Sequence, residues 1–137
     1  MEDEGFNLAQ FWLEGGFVMY PVLLTWLAAE ASGVVALISK NVAAAMVAIA
    51  LSSAPLIVGV AGQAYNRSRV DEAIAHVSPA DKELIREAGY KESARPLQFG
   101  GFATVITLPL AFIAFATARK NQPKGPGDAK SILDNPP

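Results

Sequence analysis

The sequence contains no cysteine and a single histidine among its 137 residues. The absence of cysteine excludes disulfide scaffolds, thiol catalysis and cysteine-bound zinc or iron–sulfur centres. The lone His76 excludes most histidine-ligated metal sites, and no phosphate-binding loop or nucleophile motif accompanies it. We therefore expect no enzyme, no metal site and no cofactor.

Charged residues are also scarce, at 18% of the chain, where a soluble domain usually carries about a quarter. Eleven Lys and Arg against thirteen Asp and Glu give a net charge of −2, so no basic surface for nucleic acid is expected. The hydrophobic fraction is 52%, and the length is that of one domain. This composition is typical of a small membrane protein.

Three long stretches are nearly free of charge: residues 17–39, 42–65 and 97–118. Glu30 is the only Asp, Glu, Lys, Arg or His residue in them. Because about 20 consecutive apolar residues cross the hydrocarbon core of a bilayer, each stretch is long enough to span it. The sequence predicts an all-α integral membrane protein with three transmembrane helices, in contact with the lipid bilayer.

Only Lys40 and Asn41 separate the first two spans. So short a connection predicts a tight helical hairpin, in which Asn41 caps the second helix. A continuous bent helix is the alternative, since neither glycine nor proline marks the turn. The combined length of the two spans favours the hairpin, because it far exceeds one bilayer crossing.

The remaining segments are polar. Residues 1–16 form an acidic N-terminal segment, and residues 66–96 form a polar loop with six basic and six acidic residues. A Ser-Pro start and a closing glycine predict a short helix at about 79–88 within that loop. The tail, 119–137, is rich in proline and glycine, and we expect it to be disordered.

Small residues recur at helical spacing on one side of the second and third spans. They are Ala45, Ala48, Ser52, Pro55, Gly59 and Gly62 on the second span, and Gly100, Thr104, Thr107, Ala111, Ala114 and Ala118 on the third. Such stripes let helices approach closely in lipid, and Gly59, Gly62 and Gly100 are the expected packing residues. The stripes either pack the two spans against each other or line a pore or partner groove.

Polar side chains within the spans are the candidate functional residues: Ser52, Ser53, Gln63, Thr104 and Thr107. Hydroxyls in membrane helices often bond to their own backbone. Facing an aqueous path, the same groups would hold water or relay protons. Glu30 is the one carboxylate at membrane depth, where ionisable residues are costly and frequently functional. It either handles protons or makes a structural hydrogen bond between helices.

Three motifs resemble the MotA/TolQ/ExbB proton-channel family. Residues 14–24, Glu-Gly-Gly-Phe-Val-Met-Tyr-Pro-Val-Leu-Leu, resemble the start of the family's first span. Residues 54–62, Ala-Pro-Leu-Ile-Val-Gly-Val-Ala-Gly, resemble the start of its channel helix, and residues 107–109, Thr-Leu-Pro, resemble its Ala-Ile-Pro. Members usually carry a cytoplasmic segment between the first two spans, where this chain has only two residues.

The resemblance implies a bacterial inner-membrane subunit that forms a homo-oligomer around a small single-span partner of the ExbD/TolR type and uses the proton-motive force. The candidate polar residues of the second and third spans would then line the path, with Glu30 secondary. It also implies a periplasmic N-terminus and a cytoplasmic C-terminus, which the counts of basic residues on the two sides leave undecided. The alternative is a non-conducting membrane scaffold or assembly subunit.

Overall fold

The structure is a computed structural model that describes residues 7–122, and every regular element in that range is helical. A short 3-10 turn, Gly16–Val18, joins the first two helices. The helices are α1 (Leu8–Gly15), α2 (Met19–Ser39), α3 (Val42–Ser52), α4 (Ala54–Ile74), α5 (Lys82–Ser93) and α6 (Arg95–Lys120). The all-α prediction is confirmed. Residues 1–6 of the acidic segment and 123–137 of the tail lie outside the described residues.

These helices form three long helical segments, Leu8–Ser39, Val42–Ile74 and Lys82–Lys120, each long and apolar enough to cross a membrane. The chain runs along α2, returns along α3 and α4, and runs back along α6. The most extensive contacts join α6 to α4 and to α2. The third long segment is therefore the centre of the bundle.

The first two long segments meet in a two-residue turn. Lys40 adopts a left-handed conformation, with φ of 51°, and its N–H donates to the carbonyl of Ala36 at 3.0 Å. The Asn41 side chain accepts from the N–H of Ala43 at 2.8 Å and so caps α3. Because α2 then packs along α3, the structure has the hairpin and not the continuous bent helix.

The second segment is interrupted at Ser53. Pro55 lies in the first turn of α4 and has no N–H to donate to the carbonyl of Leu51, so the hydrogen-bond ladder is broken there. Pro109 lies inside α6, which nevertheless continues as one helix to Lys120. The helix of the second span is thus broken near its middle, between α3 and α4.

The backbones of α4 and α6 are in direct contact at glycines. A Cβ added at Gly59 would stand 2.6 Å from the carbonyl oxygen of Pro96, and one at Gly100 would overlap the carbonyl of Pro55. Alanines continue this close packing towards the hairpin, where the buried cluster is Ala36, Ala45, Ala48, Ala111, Ala114 and Ala118. Small residues therefore form most of the core, as expected for helices packed in lipid.

The polar segment 66–96 is more helical than the sequence predicts. α4 continues to Ile74, and α5 covers Lys82–Ser93 where the sequence predicts 79–88. The Ser78 hydroxyl donates to the Asp81 carboxylate at 2.7 Å, which keeps 78–81 as a turn. Gly89 does not end the helix, because it packs against Val70: a Cβ there would lie 2.8 Å from the Val70 methyl carbons.

α1 folds back over the start of the bundle. Gly16 has a φ of +64°, which a glycine adopts without strain, and the chain bends there. The rings of Trp12 and Tyr20 consequently lie 5.6 Å apart, although a straight helix would separate them by about 12 Å. The side chain of Asn66 donates to the carbonyl of Gly15 at 3.3 Å and fixes the bend against α4.

An ion pair holds α1 to the start of α6. Arg95 Nη2 lies 2.6 Å from Glu14 Oε2, and its Nε donates to the same oxygen at 2.7 Å. Gln10 donates to the other Glu14 oxygen at 3.0 Å, and the Arg95 guanidinium lies 5.1 Å from the centre of the Phe11 ring. The hydrogen bond from Arg95 lowers the pKa of Glu14 below its ordinary value of 4.5.

We predict that Gly100→Ala destabilises the bundle by about 1–3 kcal/mol, because the added methyl group overlaps the Pro55 carbonyl. Gly101→Ala is the matched control: a Cβ there meets nothing within 4 Å, so the substitution should be neutral or slightly stabilising. Unfolding of both variants in mild detergent measures the difference. Equal stability of the two would contradict the close contact of α4 with α6.

We also predict that acid weakens the attachment of α1 through Glu14. Since its pKa is lower in the folded protein, the ion pair contributes stability above pH 4.5 and loses it as the pH falls through the lower folded value. Glu14→Gln should remove that part of the pH dependence. Trp fluorescence followed from pH 7 to pH 3 would report it, and Glu87→Gln, an exposed change on α5, is the control.

Candidate membrane-embedded site

Ser52 and Thr107 meet inside the bundle at the helix break. Both are buried, and the Thr107 hydroxyl lies 3.4 Å from the carbonyl oxygen of Ser52 and 3.1 Å from that of Ala103. The Ser52 hydroxyl donates to the carbonyl of Ile49 at 2.6 Å. These two hydroxyls therefore bond to backbone carbonyls, and the long bond from Thr107 joins α6 to the end of α3.

Thr104 lies one helical turn before Thr107 on α6, at the level of the same break. Its hydroxyl oxygen is buried and has no hydrogen-bond partner among residues 7–122. Thr104 differs in this from both Ser52 and Thr107. It is the one buried side-chain oxygen or nitrogen without a partner in residues 7–122, and such a group costs about 1–3 kcal/mol.

Thr104 and Gln63 flank the α4–α6 contact on the side away from α2. Phe99 lies on the side of α6 that faces α2, because its ring contacts Trp26. Val58 lies on the side of α4 that faces α2, because it lines a pocket together with Pro21. Thr104 follows Phe99 by five residues, and Gln63 follows Val58 by five, which turns each about 140° around its helix. Ser53 is exposed, and its hydroxyl donates to the carbonyl of Ala50 at 2.8 Å.

We call this side of the bundle the outer face. By the same helical geometry it also carries apolar residues and an open glycine. Its members are Ser53, Leu56, Val60 and Gln63 from α3–α4, with Leu97, Gly101, Thr104 and Leu108 from α6. The five candidate polar residues thus divide: Ser52 and Thr107 lie within the bundle, and the other three lie on the outer face.

The two small-residue stripes are buried within the chain. All six members on the second span are buried, as are five of the six on the third, and Thr104 is the partly exposed exception. A Cβ at Gly62 would overlap Val18 and lie 3.1 Å from the Pro96 side chain. In the single chain, the small-residue stripes therefore pack the spans against one another.

Glu30 lies apart from these hydroxyls, near the midpoint of α2. It is partly buried and accepts from the indole N–H of Trp26 at 3.2 Å, one helical turn away. The Trp26 ring contacts Phe99 of α6 edge-on, with centroids 5.6 Å apart. Glu30 is thus placed along the boundary between α2 and α6 and belongs to a different part of the surface from the outer face.

Two features are not evident in the sequence. One is an apolar groove of about 900 Å³ between α1, α2 and α6. The other is the pair of Glu14 and Arg95, which are 81 residues apart. The concentration of aromatic residues in 11–26 is the only sequence signal for the groove, and it equally suits a membrane interface.

Residues 7–122 bring no three His, Asp or Glu side chains together as metal ligands.

Comparison with known proteins finds no matching family model, no matching curated protein and no matching solved structure. The function is therefore argued from the residues of the chain itself.

We predict opposite effects for two threonine-to-valine changes on α6. Thr107→Val removes the one hydrogen bond that its hydroxyl donates, shared between the carbonyls of Ala103 and Ser52, and should destabilise the bundle by about 0.5–1.5 kcal/mol. Thr104→Val removes an unsatisfied hydroxyl at nearly constant volume, so the isolated chain should be unchanged or more stable. Unfolding in detergent of the monomeric protein compares them, and a larger loss at Thr104 would contradict this assignment.

Proposed function

We propose that the protein is a three-span subunit of the bacterial inner membrane that assembles with further copies around a single-span partner. In this proposal it acts as a stator or channel wall in a complex driven by the proton-motive force, as its resemblance to the MotA/TolQ/ExbB family implies. The observation that carries the proposal is the outer face, where Gly101 leaves open space beside the backbone of α6.

Insertion in a membrane is supported by the distribution of large and small side chains. The core consists mainly of alanine and glycine, whereas large apolar side chains point outwards: Ile38 is 77% exposed and Val105 72%. A soluble protein rarely exposes apolar patches of this extent. In lipid, exposure of large apolar side chains carries no free-energy cost, because the lipid tails are apolar too. The helices are then held together by close contact of small residues.

The outer face suits another membrane helix. Gly101 leaves open space beside the α6 backbone, which lets a second helix approach closely. Thr104 lies on the same side, with its hydroxyl oxygen buried against its own chain. Ser53 and Gln63 would add polar contacts on the same side. In a ring of copies these residues would face the partner, and the path for protons would lie between chains.

The orientation follows the resemblance: the N-terminus is periplasmic and the C-terminus cytoplasmic. The hairpin and the end of α6 then lie on the cytoplasmic side. The charged residues at that end of the described chain are Lys40, Arg119 and Lys120, all basic. Basic residues are favoured on the cytoplasmic side, although the polar segment 66–96 carries basic residues as well.

Native mass spectrometry of the full chain, extracted in mild detergent, tests this proposal. We expect a closed ring of several identical copies, and a ring of five would fit the stator role best. Gly101→Leu should break the ring, because the added side chain starts from a position where a Cβ meets no other atom within 4 Å and covers the outer face. Ala28→Leu, which introduces the same side chain at an exposed position of α2, should leave it intact. A monomer for the unaltered protein would contradict the proposal.

A non-conducting scaffold is the second candidate. The hydroxyls of Ser52 and Thr107 are bonded to backbone carbonyls, which favours a packing role over proton transfer for these two residues. Proton flux into vesicles containing the assembled ring separates the candidates. A ring with its partner that carries no flux would favour the scaffold.

A further inference from the structure

The end of the bundle that contains the hairpin carries only basic side chains in the described chain. Lys40 lies at the turn, and Arg119 and Lys120 end α6; all three are exposed. Residues 31–66 and 93–122, which contain the hairpin, α3 and α6, include no Asp or Glu. The sequence after Gln122 adds two Lys and two Asp, so these do not offset the positive charge. We call Lys40, Arg119 and Lys120 the basic end.

The opposite end of the bundle differs, because its charges balance. Segment 66–96 has six basic and six acidic residues. Arg95 lies 2.6 Å from Glu14, and Arg86 lies 3.3 Å from Glu83. Neither of these two salt bridges of residues 7–122 involves the basic end. The positive charge of the basic end is therefore available to an anion outside the described chain.

Helix packing holds the basic end together. Ala36, Ala45 and Ala118 belong to one buried cluster, in which α2, α3 and α6 meet. The backbone N–H of Lys40 donates to the carbonyl of Ala36 at 3.0 Å, and Arg119 follows Ala118 directly. The basic positions of the turn and of α6 are consequently attached to the same cluster and lie at the same end of the bundle.

Helix length places this end at the level of the lipid headgroups. The 21 residues of α2 extend about 30 Å, which is the thickness of the hydrocarbon core of a bilayer. Lys40 follows the last residue of α2 and so lies where the headgroup region begins. The Arg119 guanidinium lies 5.7 Å from the centre of the Phe115 ring, one helical turn nearer the membrane. Its charge is thereby kept close to the edge of the apolar surface.

Large apolar side chains are exposed next to the basic end, on its membrane side: Ile38, Met46 and Phe112. A molecule that meets both surfaces must combine a negative charge with long apolar chains. An anionic phospholipid does so. An acidic soluble peptide would meet only the basic side chains, and a free phosphate ion has no apolar part. Each basic residue near an anionic membrane surface strengthens the attraction about fivefold.

We propose that the basic end binds an anionic phospholipid of the phosphatidylglycerol type. Lys40, Arg119 and Lys120 donate to the phosphate oxygens, and the acyl chains lie along the exposed apolar side chains. This inference rests on the membrane insertion in the proposed function, but neither on a ring of copies nor on proton flux. A failure of insertion would be seen separately, because the chain would then not float with liposomes.

Native mass spectrometry of the delipidated full chain in mild detergent tests the proposal. The protein is titrated with phosphatidylglycerol or with phosphatidylcholine of the same acyl chains, which has no net charge. We expect phosphatidylglycerol to bind at least about tenfold more tightly. Combined Lys40→Gln, Arg119→Gln and Lys120→Gln changes should abolish this preference. Inorganic phosphate at the concentration of the lipid should not displace it, because phosphate lacks acyl chains.

A matched control removes the same charge from the opposite end. The combined changes Arg69→Gln, Lys82→Gln and Lys91→Gln lie in the charge-balanced segment and should leave the preference intact. Equal loss in this control would overturn the proposal, since net charge alone would then explain the binding.

Equal binding of the two lipids by the unaltered protein would also overturn the proposal, as would displacement of the lipid by inorganic phosphate. An unchanged preference in the folded triple variant of the basic end would do the same. If that variant does not fold, Lys120→Gln decides in its place, at the exposed last residue of α6. This single change should weaken phosphatidylglycerol binding about fivefold, and no change would refute the assignment.

Discussion

The direct contact between the backbones of α4 and α6 is the constraint on which the rest of the structure depends. Gly59 and Gly100 have no side chains to hold these helices apart, and carbonyl groups of Pro96 and Pro55 occupy the space. Because the two backbones are in contact, α4 and α6 cannot slide along each other without overlap of atoms. That register brings Thr107 onto the Ser52 carbonyl and leaves Thr104 at the edge of the contact without a partner.

The helical periodicity in the sequence is enough to predict this core. The second-span stripe from Ala45 to Gly62 is buried in full, because a single repeated spacing determines which side of a helix faces its neighbour. On α6 the stripe is shifted slightly: Ala103 is buried where the sequence suggested Thr104. A helical stripe advances by three or four residues at each step, so the sequence alone allows either Ala103 or Thr104 to face the neighbouring helix.

The features that escape sequence analysis depend on contacts between distant segments. Nothing near Glu14 indicates that it pairs with Arg95, and the fold-back of α1 requires that pair together with the Asn66 bond to Gly15. Gly89 has the local properties of a helix end, yet contact with Val70 on α4 makes it a packing residue instead. The groove exists only because α1 is bent in this way, so its aromatic lining could not be distinguished from an ordinary interfacial belt.

The polar side chains of the spans fall into two groups: those whose hydrogen bonds are made within the chain, and those that lack a partner there. Ser52 and Thr107 reach backbone carbonyls and add only packing. Thr104 on one side of α6 and Glu30 on the other have no complete set of partners within the described residues. Water does not reach the buried Thr104 oxygen, so its missing hydrogen bond costs stability in the isolated chain. We therefore propose that the chain is one component of an assembly, in which a neighbouring helix packs on the outer face beside the open backbone at Gly101.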